Sequence, residues 1–264
     1  MNFRLSLAVL AVCGWTAAAA AQAPPVVRAQ LLKDTNTEFA GDFGAANNFA
    51  RVGNAVYFSA STPSTGAELF TTSGAAGDVR LVADFVPGND SSNPRALGNA
   101  GAALIVASNT PDFQGARLWA VTPDARVLLT PVPNGFAWSQ EFVRVLGQVD
   151  DRLVLQALDT RKIWTTDGTV AGTYALDDDP AFPVAGQRLG ESCQLPGAVI
   201  FRAVDLLNEE RLVRTDGTAT GTSVLRALGA TASGSLWADR SPVVDGRCYL
   251  ASRRAPGTWT LWRS

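Results

Sequence analysis

The sequence contains no histidine and only two lysines, Lys33 and Lys162, among its 264 residues. The absence of histidine excludes a Ser-His-Asp or Cys-His nucleophile system, a histidine general base and any histidine-ligated metal. With 22 basic and 24 acidic residues the net charge is −2, which argues against a nucleic-acid or anionic-membrane partner. Apolar residues make up 47% and charged residues 17%, a balance typical of a globular chain.

The first residues have the pattern of a secretory signal peptide. Asn2 and Arg4 precede an apolar run from Leu5 to Ala21 that ends in alanines. A positive charge, a short apolar core and a small-residue end are typical of an export signal, and the run is short for a membrane span of about 20 residues. We therefore expect residues 1–21 to be removed, with cleavage between about residues 21 and 23. The mature protein is expected to be secreted or periplasmic, with a lipoprotein acylated at Cys13 as the minor alternative.

One short string recurs five times along the remaining chain. At its centre is an aliphatic residue, here called an anchor, and the anchors are separated by 49, 45, 49 and 49 residues. A large aromatic residue follows four of the five anchors, and short apolar runs lie before and after most of them. Regular spacing of this kind predicts five structural repeats. The anchors are Leu69, Leu118, Ile163, Leu212 and Leu261.

Each repeat has the pattern of several short antiparallel strands joined by turns, and no segment after the signal has a helical period. Asp167-Gly168 and Asp216-Gly217 supply the positive backbone φ angles that tight hairpin turns need. Neighbouring residues on a strand point to opposite faces, so an anchor and the aromatic residue beside it need cover on both faces. A four-stranded propeller blade between two similar blades meets this need, and its repeat is about 40–50 residues long. We therefore predict an all-β, five-bladed β-propeller of four-stranded antiparallel blades.

The two ends of the chain suggest how such a ring closes. The sequence ends three residues after Leu261, so the last repeat lacks an outer strand. At the other end, Gln30–Asp34 is similar to Arg80–Asp84, which follows the first anchor. We expect a strand from about residue 26 to residue 34 to complete the last blade and remove an exposed sheet edge. Residues 24–264 then form a single domain.

Two repeats carry a sharper motif. Lys162-Ile-Trp-Thr-Thr-Asp-Gly-Thr-Val-Ala-Gly-Thr173 and Arg211-Leu-Val-Arg-Thr-Asp-Gly-Thr-Ala-Thr-Gly-Thr222 resemble the ELWxxDGTxxGT repeats of secreted bacterial proteins. The first repeat keeps Glu68-Leu69-Phe70 but departs from Asp-Gly-Thr in the turn that follows. The resemblance implies an extracytoplasmic β-propeller. It implies little about chemistry, because the motif consists of turn and blade residues.

Two cysteines remain once the signal is removed, Cys193 and Cys248. An oxidising compartment favours one disulfide between them, and two separate small buried residues are the alternative. Their places in the fourth and fifth repeats are similar, Cys193 just before the inner strand and Cys248 in the corresponding strand. A disulfide would therefore join neighbouring blades.

The connections from the outer strand of one blade to the inner strand of the next contain the candidate ligand-binding residues. Aromatic rings beside Asn, Asp and Gln side chains can stack against sugar rings or anchor a protein partner. The structural alternative is that these rings fold back over blade edges. The aromatic residues that follow the anchors, Trp119, Trp164 and Trp262, are instead expected between blades. The candidates for ligand binding are Phe43, Asn89, Trp138, Phe182 and Trp237.

Acidic residues in or beside the same connections keep a catalytic alternative open. Glycoside hydrolysis needs two carboxylates about 5–9.5 Å apart and no histidine. No motif surrounds any of these acids, so no catalytic residue is assigned. The run Asp177–Asp179 lacks the alternating spacing of a calcium loop, so no metal or cofactor is predicted. The acids are Asp42, Asp90, Glu141, Glu191 and Asp239.

The sequence thus predicts an exported, non-catalytic binding propeller. Its expected partner is a carbohydrate or another extracytoplasmic protein, recognised through the loops between blades. A glycan-acting hydrolase with paired loop carboxylates and a structural scaffold for protein assembly are the alternatives. No nucleic-acid partner and no stable membrane span after signal removal are expected.

Overall fold

The computed structural model describes residues 46–109, 116–129, 143–157, 161–183, 188–205, 207–230, 241–254 and 258–264. All of them belong to one unit, Leu32–Ser264. They form nineteen β-strands and one 3₁₀ turn at Leu176–Asp178. The strands make five antiparallel sheets, numbered I to V in chain order, and the prediction of an all-β fold is confirmed. None of the helical structure within these ranges is long and apolar enough to cross a membrane.

Within every sheet the strands follow one another in chain order, each antiparallel to the next. Sheet I consists of β1 (Asn47–Val52), β2 (Ala55–Thr62), β3 (Gly66–Thr72) and β4 (Arg80–Ala83). Sheet II consists of β5 (Arg95–Ala100), β6 (Ala103–Asn109), β7 (Ala116–Val121) and β8 (Arg126–Leu128). Sheet III consists of β9 (Val143–Val149), β10 (Arg152–Ala157), β11 (Ile163–Thr166) and β12 (Tyr174–Ala175).

Sheet IV consists of β13 (Arg188–Leu195), β14 (Ala198–Val204), β15 (Glu209–Thr215) and β16 (Ser223–Ala230). Sheet V has three strands within the described residues, β17 (Val243–Val244), β18 (Arg247–Arg254) and β19 (Thr258–Arg263). The strand predicted for residues 26–34 lies outside the described residues.

Successive sheets pack against each other beginning at their first strands. The first strand of each sheet from I to III contacts the first strand of the next, and β13 contacts β17 and β18. A separate hydrophobic cluster fills each of the four junctions from I–II to IV–V. The succession of similar sheets is β-propeller-like.

The anchors explain why sheets II to IV are buried on both faces. Leu118 of β7 is fully buried in the cluster between sheets II and III, whereas Trp119 packs in the cluster between sheets I and II. Adjacent residues of a strand point to opposite faces, so one pair of residues contributes to two junctions. Trp164 and Trp262 likewise pack against the cluster that precedes their own sheet.

Close backbone approach at the junctions depends on small residues in the first strands. A Cβ atom added to Gly98 would lie 2.9 Å from Leu153 Cδ1 in the next sheet, and one added to Gly147 would lie 2.5 Å from Val199 Cγ2. Gly98 and Gly147 occupy the same register position in sheets II and III. A larger side chain there would push neighbouring sheets apart.

The same register position in sheet IV is Cys193, which forms a disulfide with Cys248 of sheet V. Their Cα atoms are 6.1 Å apart, and both residues are buried. Cys193 lies in the first strand of sheet IV, just before the second strand, and Cys248 lies in the second strand of sheet V, the relative placement that the sequence pattern predicts. The bond takes the place of the glycine–aliphatic contact seen at the two preceding junctions.

Arginine side chains join the junctions through hydrogen bonds to main-chain carbonyl groups. The planar guanidinium offers several donors in a fixed geometry, which the single ammonium group of lysine does not. From junction I–II to IV–V the donor and acceptor residues are Arg126 and Asp84, Arg95 and Val143, Arg144 and Leu189, and Arg202 and Ala251.

Candidate functional site: the connections between sheets

Two of the connections that join one sheet to the next can be described in detail. Residues 84–94 lead from β4 to β5, and residues 176–183 form the first part of the link from β12 to β13. Asn89 lies in the first connection and Phe182 in the second. The other three predicted ligand-binding residues, Phe43, Trp138 and Trp237, lie outside the described residues.

A buried carboxylate holds the connection 84–94 in place. Glu68, at the start of the third strand of sheet I, is 0% exposed. Its Oε1 atom accepts a hydrogen bond from the Ser92 backbone N–H at 2.9 Å. Its Oε2 atom accepts one from the Phe85 backbone N–H at 3.0 Å and one from the Ser92 hydroxyl at 2.6 Å. The side chain therefore ties together both ends of the connection.

Backbone contacts fix the same connection to the hairpin between β2 and β3. The Ala67 N–H donates to Ser91 Oγ at 2.9 Å, and the Asn93 N–H donates to the Ala67 carbonyl at 3.1 Å. Gly66 has a φ of +63°, and a Cβ atom there would lie 2.4 Å from the Asp90 carbonyl oxygen. Only glycine allows the connection to lie this close to the hairpin.

Burial raises the pKa of Glu68, while the hydrogen bonds from Ser92 and Phe85 oppose the rise. An unpaired carboxylate in this position would be strongly unfavourable, so the three donors are needed to keep it buried. Residues 87–90, the tip of the connection, lie between the two points that Glu68 holds, and all four are exposed. Asn89 thus lies at the exposed, polar tip of a loop whose base is fixed.

The second connection uses its aromatic ring for packing. Phe182 is 9% exposed and belongs to the cluster between sheets III and IV with Leu176, Leu189 and Phe201. Its backbone N–H donates to the Asp179 carbonyl at 2.9 Å. In this structure the ring stabilises the junction and is not presented to a ligand.

The three consecutive aspartates of this connection are all engaged by the protein itself. Asp177 accepts a hydrogen bond from the Ile163 N–H at 3.3 Å, and burial raises the pKa of Asp177. Lys162 forms an ion pair with Asp178, and Asp179 accepts from the Ala181 N–H at 2.8 Å. The described ranges contain no group of three or more acidic, histidine or cysteine side chains arranged to hold a metal ion.

A second buried charged group lies at the junction of sheets IV and V. Arg202 and Glu210 form an ion pair with side chains only 7% and 2% exposed. Glu191 Oε2 lies 3.9 Å from Arg202 Nη1 and accepts hydrogen bonds from the Ala251 N–H at 3.0 Å and the Ser241 hydroxyl at 3.2 Å. Glu191 thus connects the first strand of sheet IV to two segments of sheet V.

This arrangement bears on the catalytic alternative. Glycoside hydrolysis requires one carboxyl group to donate a proton and a second to act as base or nucleophile, both facing the sugar. Glu191 and Glu210 instead share one guanidinium, and Glu191 also accepts from sheet V. Of the other predicted acids, Asp90 is exposed on the tip 87–90, and Asp42, Glu141 and Asp239 lie outside the described residues.

The Asp-Gly-Thr turns use nearly all of their polar side chains internally. Asp167 Oδ1 accepts hydrogen bonds from the Thr169 N–H at 2.9 Å and the Thr169 hydroxyl at 2.7 Å. Partial burial raises the pKa of Asp167, but the bonds from Thr169 outweigh this effect and lower it. The hydroxyls of Thr166 and Thr173 are 2.7 Å apart and close the turn. A Cβ atom at Gly172 would lie 2.0 Å from the Asp167 carboxylate, so the second glycine of the motif makes room for the aspartate.

No sequence pattern reveals the contacts of Glu68 or the buried Arg202–Glu210 pair. Ser92 lies 24 residues from Glu68 and follows no motif. Glu191 is one of the acids considered from the sequence, but nothing there relates it to Arg202. One exposed aromatic residue also lacked a sequence signal: Phe49 of β1 is 64% exposed and stacks on Phe58 with ring centroids 5.5 Å apart.

Comparison with known proteins gives no family for this chain. No protein-family model and no curated protein matches it. A solved puromycin-hydrolyzing peptidase from Mycobacterium tuberculosis aligns at 16% identity with a TM-score of 0.44, over 82% of this chain and 32% of that one. A chain of the mitotic checkpoint complex aligns at 13% identity with a TM-score of 0.43, over 83% of this chain and 63% of that one.

A structure described as a glycoside hydrolase aligns at 9% identity with a TM-score of 0.33, over 84% of this chain and 59% of that one. The chain spans less than two thirds of the length of each of these three proteins. At such identities and TM-scores, none of the similarities bears on the activity of this chain.

Proposed function

We propose that this chain is an exported, closed five-bladed β-propeller that binds a carbohydrate or protein ligand through the connections between its blades, without catalysing a reaction. Residues 1–21 act as the export signal, and the strand at residues 26–34 completes the last blade. The connections are the variable part of a molecule whose repeats are otherwise alike.

The observation that carries the binding role is the clamped connection 84–94. Glu68 and Gly66 fix its base, and its tip exposes Asn89 and Asp90. A loop that is ordered before binding loses less conformational entropy when a ligand arrives, which favours affinity. Glu68 also accepts from the buried Phe85 and Ser92 N–H groups, which an apolar side chain would leave unpaired, so the base of the connection keeps one geometry.

The non-catalytic form of the proposal rests on the described carboxylates. The buried ones hold connections and junctions together, and Asp90 is exposed at a loop tip without a second carboxylate assigned beside it. Glu68, Glu191 and Glu210 are each engaged by donors of the protein itself, which supports a structural role for them and not a paired acid and base.

The test is a glycan-binding screen on the purified mature protein, read beside Asn89→Ala. The matched control is Asn54→Ala, because Asn54 is an exposed asparagine in the β1–β2 hairpin at the opposite end of the strands. The expected result is selective binding that Asn89→Ala weakens about tenfold or more and Asn54→Ala leaves unchanged. The variants Trp138→Ala and Trp237→Ala test the sequence prediction for those two rings in the same screen.

Two results would overturn parts of the proposal. Release of reducing sugar ends from a bound glycan, abolished by Asp90→Asn or Glu191→Gln in folded protein, would establish the hydrolase. A blank screen on folded protein would exclude the carbohydrate, and crosslinking to a protein partner would then have to depend on Asn89. Export is tested separately by the N-terminal mass of the secreted protein, which should begin between residues 22 and 24.

A further inference from the structure

Phe49 of β1 exposes an aromatic ring at a position that sheets II to IV bury. Phe49 lies three residues before the end of β1, and the residues at the same place in the first strands of those sheets are Leu97, Leu146 and Ser192. These three residues are 8%, 1% and 0% exposed, whereas Phe49 is 64% exposed. The exposed ring is therefore peculiar to sheet I and does not follow from the repeat.

The backbone directly before Phe49 also differs from its equivalents. The pairing of β1 with β2 shifts register between Asn47 and Ala50, which marks a β-bulge. Within this bulge Asn48 has a φ of +53°, while none of the residues equivalent to Asn48 in sheets II to IV has a positive φ. Bulges change the direction of a side chain, and asparagine tolerates the left-handed conformation better than most residues. The left-handed Asn48 thus accounts for the outward direction of the next side chain.

Two further rings hold the exposed ring in one orientation. Phe49 stacks on Phe58 with ring centroids 5.5 Å apart and an angle of 24° between the rings. Phe58 stacks in turn on Phe70 at 6.1 Å and 23°, and both of these rings are buried. One face of Phe49 is therefore occupied, and its other face is open to solvent. A ring that is fixed in this way loses little conformational entropy when a flat group stacks on its open face.

Uncharged polar groups lie beside the ring. Asn47 and Asn48 are both exposed, and each amide has a donor and an acceptor group. The Asn48 side-chain nitrogen donates to Asn47 Oδ1 at 2.8 Å and to the Pro94 carbonyl at 3.4 Å. Because Pro94 is the last residue of the connection 84–94, Phe49 lies at the same end of sheet I as that connection.

We infer that Phe49 is a stacking platform for a neutral sugar ring, whose hydroxyl groups hydrogen bond to the Asn47 and Asn48 amides. This inference rests on the binding role proposed above and narrows its ligand to a carbohydrate. A pyranose has a face of C–H groups edged by hydroxyl groups, which matches an aromatic face edged by amides. Arg51, the basic residue nearest in sequence, donates to the Gly53 carbonyl of its own hairpin at 2.9 Å, so the site is suited to an uncharged ligand.

A protein partner is the competing occupant, and it makes a different demand on the side chain. A protein pocket that receives Phe49 would gain most of its affinity from buried apolar area, which a leucine also provides. Stacking of a sugar depends on the flat face of an aromatic ring, which a leucine lacks. Replacement by leucine and by tryptophan therefore distinguishes the two occupants.

The test is saturation-transfer NMR on the purified mature protein with a panel of neutral sugars. The panel contains the methyl glycosides of glucose, galactose, mannose and N-acetylglucosamine, together with cellobiose and maltose. The sugar with the strongest signal is then titrated against F49A, F49L and F49W. We expect F49A and F49L to weaken binding about tenfold or more and F49W to bind within about threefold of the native protein.

The matched control is V170A, which shortens an apolar side chain that is 51% exposed in the turn after β11 and should leave the affinity unchanged. Melting temperatures identify the folded variants. F49L keeps apolar cover over Phe58, so the comparison of F49L with F49W remains decisive where F49A does not fold.

Three results would overturn the inference. Sugar binding that Asn89→Ala weakens but F49A and F49L leave unchanged would exclude Phe49 and leave the proposed function in place. Binding that is lost in F49A but retained in F49L would show that apolar bulk is sufficient and that the ring face is not used. A blank panel with folded protein would exclude the sugar, and the proposed function would then stand or fall by the crosslinking to a protein partner described above.

Discussion

The disulfide between Cys193 and Cys248 links two neighbouring sheets, and its contribution to the free energy of unfolding can be measured. The informative variant is C193G/C248V, because Gly147 and Val199 make the same contact one junction earlier without a covalent bond. This substitution removes the crosslink and replaces it with a pair of residues that the fold already uses. A pair of alanines would instead confuse loss of the bond with poor packing.

The expected loss follows from the length of chain that the bond encloses. The cysteines are separated by 55 residues in sequence. The chain-entropy model gives about 14 cal/mol/K for a closed loop of that size, or about 4 kcal/mol at 25 °C. Because this value neglects residual structure in the unfolded chain, it is an upper value, and a loss of about 2–4 kcal/mol is expected. For a domain of this size the melting temperature should then fall by about 4–16 °C.

The assay is urea unfolding of the oxidised protein, the reduced protein and C193G/C248V, followed by tryptophan fluorescence. The reduced protein and the variant should lose similar free energy of unfolding. A loss below about 1 kcal/mol in both would refute the reasoning, because the enclosed chain would then gain little freedom when the bond is absent. A large loss on reduction with none in the variant would show that the thiols disturb the junction and that the crosslink itself contributes little.

Three further outcomes are expected from single residues. Gly172→Ala should lower the free energy of unfolding by about 2 kcal/mol, because the added Cβ atom would displace the Asp167 carboxylate. In urea unfolding, the double variant D167A/G172A should be no less stable than D167A alone. Additive losses from the two substitutions would contradict this explanation. Since burial raises the pKa of Glu68 in the folded state above its usual value, its protonation favours the folded state at low pH, and this contribution is lost as pH rises through the folded pKa. Glu68→Gln should therefore become more stable relative to the native protein as the pH rises above the usual pKa of a glutamate, and a difference constant with pH would refute the raised pKa. Arg202→Met should lower the free energy of unfolding by about 3–5 kcal/mol because Glu210 would stay buried without its cation, and a loss under 1 kcal/mol in the same assay would refute this role.

The repeated elements of the fold could be predicted because their signals are local and occur several times. Each anchor with its aromatic neighbour implies two buried faces, and the structure places Leu118 and Trp119 in different junctions. The Asp-Gly steps implied tight turns, and Asp167 and Gly168 form one, with Gly168 at a φ of +86°. Such inferences need only the period of the strand and the backbone freedom of glycine.

The buried contacts of Glu68 and of the Arg202–Glu191–Glu210 group could not be predicted, because they join segments that no sequence pattern relates. Glu68 meets Ser92 across 24 residues, and Glu191 meets Ala251 across 60. Each contact is present in only one of the described repeats, so comparing the repeats does not reveal it. Phe182 illustrates the opposite problem, a local pattern that is read as functional. An aromatic residue in a polar connection indicates a ligand site, but in the structure its ring packs into the junction of sheets III and IV.

The same distinction explains why the sharpest motif in the sequence is uninformative about function. The polar side chains of the turn after β11 hydrogen bond to one another or to the turn backbone; they are Asp167, Thr169, Thr166 and Thr173. Gly172 is needed because a side chain there would clash with the Asp167 carboxylate. Because those groups are already used, a ligand gains little from them. Resemblance through this motif therefore reports how the blades are built. The ligand specificity proposed above would then have to come from segments that differ between repeats, beginning with residues 84–94, so a search for the ligand should compare the connections one by one.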